Sequence, residues 1–173
     1  MSKIGIFFGP LKGSTNKVAE KVKTALGDAA VLVPVKNATV ADLEKFDKII
    51  FGISTVGKDT WDSEFSSNEW AKFLPEISKV DYTGKTVAIF GLGDHITYTQ
   101  NFVDFMGSLG KELINNNANV VGKVSTEGYE FDASEAVIDG QFIGLPLDED
   151  FEPELTEERL SSWLQKIKPE FGL

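Results

Sequence analysis

The chain has no cysteine and a single histidine, His95, among its 173 residues. Without cysteine there is no disulfide, no thiolate nucleophile and no Cys-ligated metal or iron–sulfur centre. One imidazole cannot build a multi-histidine zinc site. Long apolar runs are missing too, since none approaches the ~18 residues of a membrane span. Positive charge is scarce: 17 Lys and Arg stand against 27 Asp and Glu, for a formal charge of −10. Such a balance disfavours nucleic acid and anionic membranes and suits docking to basic proteins. The opening MSKIGIFFG is too short and too weakly charged for a signal peptide, so a soluble, cytoplasmic protein is expected. Demanding chemistry is left to ordinary side chains or to a borrowed organic cofactor.

What the chain does have is bulk for a core. Its hydrophobic share is 42%, with 13 Phe and 3 Trp, which suits one compact domain over residues 1–173. Five apolar runs of strand length recur: KIGIFF (3–8), AVLVPV (30–35), KIIFGI (48–53), TVAIFG (86–91) and NVVGKV (119–124). Each reads as a strand buried on both faces, and Pro34 sends the second to an edge. Helices are predicted over 14–26, 39–46, roughly 62–78 and 101–116. Val18, Val22, Ala25 and Leu26 form the inner face of the first. Phe102, Phe105, Met106, Leu109, Leu113 and Ile114 form that of the fourth. LTEERLSSWLQKIKPEF gives a final helix, with Thr156 as N-cap and Pro169 near its end. Strict β-α alternation predicts an α/β fold with a five-stranded parallel sheet and helices on both faces. After the fifth strand, STEGYEFDASEAVIDGQFIGLPLDED is a polar excursion that returns to the sheet through QFIGLPL.

Ligands of open α/β sheets sit at the carboxyl ends of strands, near the point where strand order reverses. That singles out GPLKGST, STVGKDTW and GLGDHITYTQN. The first has no Walker pattern, and Gly91-Leu92-Gly93 lacks the third glycine of a dinucleotide fingerprint. Strand one ends without the acids of a phosphoacceptor. Two readings of the first loop stay open. Its amides from Leu11 to Thr15 point at an anion, or Ser14 or Thr15 simply caps the helix. Tyr98 either stacks on a flat ligand or covers the sheet edge. His95, with no acid–base partner nearby in sequence, reads as a surface residue rather than a catalyst. The acidic tail DEDFEPELTEE reads as a solvated face suited to a helix N-terminus.

Together, KIGIFFG…GST…VAEKV, GKTVAIFGLGD…Y…NF, STEGYEFDASEAVIDGQFIGLPLDED and LTEERLSSWLQKIKPEF resemble long-chain flavodoxins over essentially the whole chain. The polar excursion is the most specific part. The resemblance implies a three-layer flavodoxin-like sandwich with the long-chain insertion in the fifth strand. It also implies non-covalently bound FMN and one-electron carriage at low potential between redox enzymes, with no catalytic residue and no metal. Carried over by position, Gly9, Pro10, Leu11, Lys12, Gly13, Ser14 and Thr15 wrap the FMN phosphate. Thr55, Val56, Gly57 and Lys58 line the inner face of the isoalloxazine and its N5 edge. Gly91, Asp94 and Tyr98 bracket the other side, with Tyr98 stacked on the ring, and Asp150 contributes field rather than contact. The carbonyl of Gly57, whose peptide turns over cheaply, is expected to accept a hydrogen bond from N5 on reduction. Implied partners are an NADPH-dependent flavodoxin reductase, a pyruvate oxidoreductase or a similar redox protein, met by a monomer.

Three departures from the family pattern stand out. Pro10 and Lys12 replace hydroxyl donors of the phosphate loop, and Pro10 removes an amide as well. Lys12 either compensates with direct charge or points to solvent. Val56 stands where many relatives place Trp, and Lys58 where an acid is common. Two other classes fit the same fold: an FMN-dependent quinone or azo reductase, and a binding module that has lost FMN through Pro10 and Lys12.

Overall fold

The computed structural model describes residues 3–54 and 68–173. The apolar runs become strands for the reason their composition suggests. All five residues of β1 (Ile4–Phe8) are buried, as are the central five of β3 (Lys48–Ser54) and all but the first of β4 (Thr86–Leu92). Such strands need cover on both faces. In β1, Phe7 points into one core with Phe51, Trp70, Phe73, Met106 and Leu109. Its neighbours Ile6 and Phe8 point into the other, with Val18, Val22, Trp163 and Leu164. At about 1.5–3 kcal/mol per buried large side chain, this two-sided burial outweighs any intrinsic strand propensity.

The covering helices are α1 (Ser14–Leu26) and α5 (Thr156–Ile167) on one face, and α3 (Asn68–Ile77) and α4 (Asp104–Asn115) on the other. A short α2 (Val40–Glu44) sits between β2 (Ala30–Pro34) and β3, closed by a Thr39–Asp42 capping box. The sheet runs β2-β1-β3-β4-β5, with every pairing parallel. As Pro34 predicts, β2 is an edge. Order reverses at β1, which pairs with β2 on one side and β3 on the other. The loops leaving β1, β3 and β4 therefore share one carboxyl rim.

The fifth strand departs from the sequence reading. Pairing over 119–124 stops after β5 (Asn119–Val120), because Gly122 takes φ 83 and turns the chain away. A separate antiparallel sheet follows, made of β6 (Val124–Ser125), β7 (Val137–Ile138) and β8 (Gln141–Phe142) in the order β6-β8-β7. The chain then returns as β9 (Leu145–Leu147) to the same edge of β4. Thr86 and Val87 pair with β5, and Phe90 to Leu92 pair with β9. The excursion is thus inserted within the fifth-strand position.

Three helix details also differ. Thr156 is the first residue of α5, not its N-cap. A 3-10 turn over Pro153–Leu155 leads in, and the Thr156 hydroxyl donates to the Glu149 carboxylate. Ala25 is exposed, because the inner stripe of α1 runs through Thr15, Val18, Ala19, Val22 and Leu26. Ile114 is 45% exposed, one residue and about 100° beyond the stripe that ends at Leu113.

Candidate cofactor site at the carboxyl rim

The first loop is tied to β3 before it reaches α1. The Gly9 amide donates to the Gly52 carbonyl at 3.2 Å, and Trp70 Nε1 donates to the same oxygen at 3.0 Å. Pro10 has no amide to offer. The Leu11 amide, one of those expected to face an anion, instead donates to Glu69 Oε2 at 2.8 Å. Glu69 opens α3 and is 58 residues away in sequence, so no local pattern announces it. Lys12 is exposed and makes no hydrogen bond or ion pair among the described residues.

The helix begins without a side-chain cap. Gly13 is the N-cap, with φ 103 and ψ −157, and neither Ser14 nor Thr15 caps. That backbone conformation is essentially restricted to glycine. No acid lies in the first turn of α1. The amides of its first turn are therefore free of intrahelical partners and sit at the positive end of the dipole. This is the donor set an organic phosphate needs, so the residues present fit such a group over 12–15 rather than over the whole loop.

The third loop is held by its own carboxylate. Asp94 Oδ1 accepts from the Ile96 amide at 2.9 Å and the Thr97 amide at 2.8 Å. The Tyr98 amide donates to the Asp94 carbonyl at 3.1 Å, leaving Tyr98 half-buried at the rim. Gly91 lies inside β4, where a Cβ would stand 3.1 Å from Met106 Cβ and Sδ. Its place is a close packing contact with α4. Thr55, Val56, Gly57 and Lys58 lie outside the described residues.

His95 is not a surface residue. It is 8% exposed, and its Nδ1 makes a short contact with Asp148 Oδ2, which also accepts the His95 amide at 3.1 Å. The other oxygen of Asp148 accepts the amides of Asp150 at 2.9 Å and Phe151 at 2.8 Å. One buried carboxylate thereby joins the loop after β4 to the loop after β9. Burial alone would raise its pKa. The bonds from the Phe151 amide, the His95 ring, the His95 amide and the Asp150 amide outweigh that and hold it below the usual carboxylate value. Glu152 Oε1 lies 3.9 Å from His95 Nδ1 and is paired with Arg159 at 3.0 Å. His95, Asp148 and Glu152 have ligand-type atoms within 4.8 Å of one another, but the Arg159 guanidinium already supplies the local cation. That guanidinium lies 4.1 Å over the Tyr129 ring, and the Tyr129 hydroxyl donates to the Pro146 carbonyl at 2.7 Å.

Asp150 is exposed, yet its carboxyl pKa is raised, first by partial desolvation and then by the charges of Asp148, Asp94 and Glu149. Asp94 and Asp150 therefore feel each other across the rim. The structure brings together the residues of the first loop, and separately Asp94, Tyr98 and Asp150. Sequence reasoning missed Glu69, Asp148 and the burial of His95, all of which depend on contacts more than 50 residues apart.

The flavodoxin family profile matches residues 6–163. The chain belongs to the flavodoxin family. It is 39% identical to a flavodoxin of Picosynechococcus sp. over 100% of both chains. It is 40% identical to one of Nostoc sp., over 99% of this chain and 98% of that one. Among solved structures, the Fusobacterium nucleatum flavodoxin bound to flavin mononucleotide aligns with a TM-score of 0.87 at 30% identity, covering 98% of this chain and 99% of that one. Flavodoxins are electron carriers with redox partners rather than enzymes, and this flavodoxin is an electron-transfer protein. Among its described residues no helix is long and apolar enough to cross a membrane.

Proposed function

We propose that this flavodoxin holds FMN non-covalently at the carboxyl rim, as a single domain over 1–173. In this reading it carries one electron at a time between partners in the cytoplasm, as a monomer. The observation that carries the reading is the uncapped head of α1 behind Gly13, free of acids in its first turn and on the same rim as the Asp94–Tyr98 loop. FMN, when bound, supplies the redox chemistry. Gly13, Ser14 and Thr15 offer amides and hydroxyls to its phosphate, and Lys12 adds charge. Gly9 and Pro10 shape the turn. Asp94 orders the loop that presents Tyr98 as the aromatic wall, and Gly91 lets that strand pack close to α4. Thr55, Val56, Gly57 and Lys58 would form the opposite wall.

Asp94 and Asp150 oppose any further negative charge at this rim. Asp150 already resists ionisation through partial desolvation and its acidic neighbours. Their effect is to lower the potential of the more reducing step. The same acidity, within a net charge of −10, suits basic partners such as an NADPH-dependent flavodoxin reductase or a pyruvate oxidoreductase. The test is direct. The purified chain should be yellow, or should bind added FMN with quenching of flavin fluorescence, and raising salt should slow its electron transfer to a basic reductase. A colourless chain that refuses FMN overturns the cofactor reading. Salt-independent rates overturn the docking one.

A further inference from the structure

The bond from the Leu11 amide to Glu69 Oε2, 2.8 Å long, has a consequence for the FMN reading, on which this inference rests. Glu69 and Trp70 are consecutive at the start of α3, and both grip the first loop. Trp70 Nε1 shares the Gly52 carbonyl with the Gly9 amide, and a Cβ on Gly9 would stand 3.2 Å from the Trp70 ring. The Leu11 side chain packs on the opposite side of the sheet, against the core beneath α1 and α5. The Glu69–Leu11 bond therefore straps the α3 layer to the α1 layer across the crest of β1. Three consecutive positions of the loop are thereby closed to a ligand: Gly9 by Gly52, Pro10 by its chemistry, and Leu11 by Glu69.

We propose that Glu69 is a specificity-determining residue of this loop, a fixed carboxylate beside the phosphate seat that confines phosphate recognition to residues 12–15 and weakens it. A carboxylate at hydrogen-bonding distance from a loop amide stands within several ångströms of any dianion held by the next four amides, and like charges at that range repel. Its position on the first turn of α3 is comfortable for Glu69 itself, because that helix dipole favours an acid there. The cost falls on the phosphate. Lys12, exposed and unpaired among the described residues, is the cation that offsets it.

Glu69→Gln separates charge from bracing, since the amide oxygen still accepts from Leu11. The full chain, freed of flavin, is titrated with FMN and with riboflavin, which lacks the phosphate. In Glu69→Gln the FMN Kd should fall about five- to tenfold at low salt, riboflavin binding should stay unchanged, and the gap should close in high salt. As a second readout, inorganic phosphate should raise the Tm of the flavin-free variant more than that of the wild type. Unchanged or weaker FMN binding overturns the proposal, as does tightening shared equally by riboflavin. A wild type that binds FMN beside an unmoved variant sinks this inference alone. A wild type that binds neither flavin sinks the FMN reading with it.

Discussion

Replacing Asp148 by Asn tests how far one carboxylate organises the rim. Asp148 is 1% exposed and faces four donors: the His95 amide, the His95 ring and the amides of Asp150 and Phe151. Asn is nearly the same size, but one of its two ends must be an NH2. Turned toward Asp150 and Phe151, that NH2 opposes two backbone N–H groups. Turned toward His95, it opposes one amide and the ring contact is remade through the other tautomer. The second arrangement is the better and still leaves at least one buried amide without an acceptor. Losing a charged hydrogen bond costs about 1.5–3 kcal/mol, and the orphaned donor adds about 1 kcal/mol or more. A total near 3 kcal/mol corresponds to a Tm lower by roughly 6–12 °C for a domain of this size.

The pH dependence carries a sign that a simple packing defect lacks. The folded-state pKa of Asp148 lies below its ordinary value of 3.8. The carboxylate's contribution is therefore fully present above the unfolded pKa and is lost as pH falls through the folded one. Urea unfolding of both proteins from pH 7 down to pH 3 should show a constant gap at neutral pH that narrows in acid. A neutral-pH difference under about 1 kcal/mol would refute the reasoning, as would a gap that fails to shrink in acid.

Further outcomes follow from the same geometry. Gly13→Ala forces a side chain onto φ 103, ψ −157, so it should cost about 1–3 kcal/mol of stability and loosen FMN. Open space around the Cβ position means any loss reflects backbone strain rather than a clash, which denaturant melts of the flavin-free chain would read. Tyr129→Phe deletes the hydroxyl bond to Pro146 and should cost about 1 kcal/mol. The wild-type phenol, pushed up to about 12 chiefly by burial and by Glu152 against the opposing pull of Arg159, should stay protonated at about pH 10, where an ordinary tyrosine is half ionised. Lys58→Glu should drive the lower of the two flavin potentials down by about 40 mV for each kcal/mol of added repulsion, measured by reductive titration. An unmoved potential would remove Lys58 from the flavin's surroundings.

Much of the fold was legible because burial on two sides leaves an unbroken apolar signature. The runs at Ile4–Phe8, Lys48–Ser54 and Thr86–Leu92 could hardly be anything but interior strands, and Pro34 marked its own strand as marginal. The reading failed where a single backbone torsion decided the outcome. Gly122 ends β5 through a positive φ that composition does not encode. At the site, GPLKGST and GLGDHITYTQN could be picked out locally as rim loops, while capping of α1 by Ser14 or Thr15 stayed open and the structure shows neither. The partners of Leu11 and His95 could not. Glu69 and Asp148 are ordinary acids in acidic stretches until the sheet brings them to the rim. His95 looked solitary only because its counterpart lies 53 residues downstream.

The divided position beside β4 also decides what the sheet's edge would offer a second copy of the chain. A continuous outer strand would present a row of unsatisfied N–H and C=O groups, a template on which a second chain could extend the ladder. Here that margin is made of one segment of 2 residues and another of 3, separated by a sheet running the other way. The opposite margin ends in proline. Among the described residues neither flank offers a long straight lip, so these edges give a second chain little on which to extend the ladder.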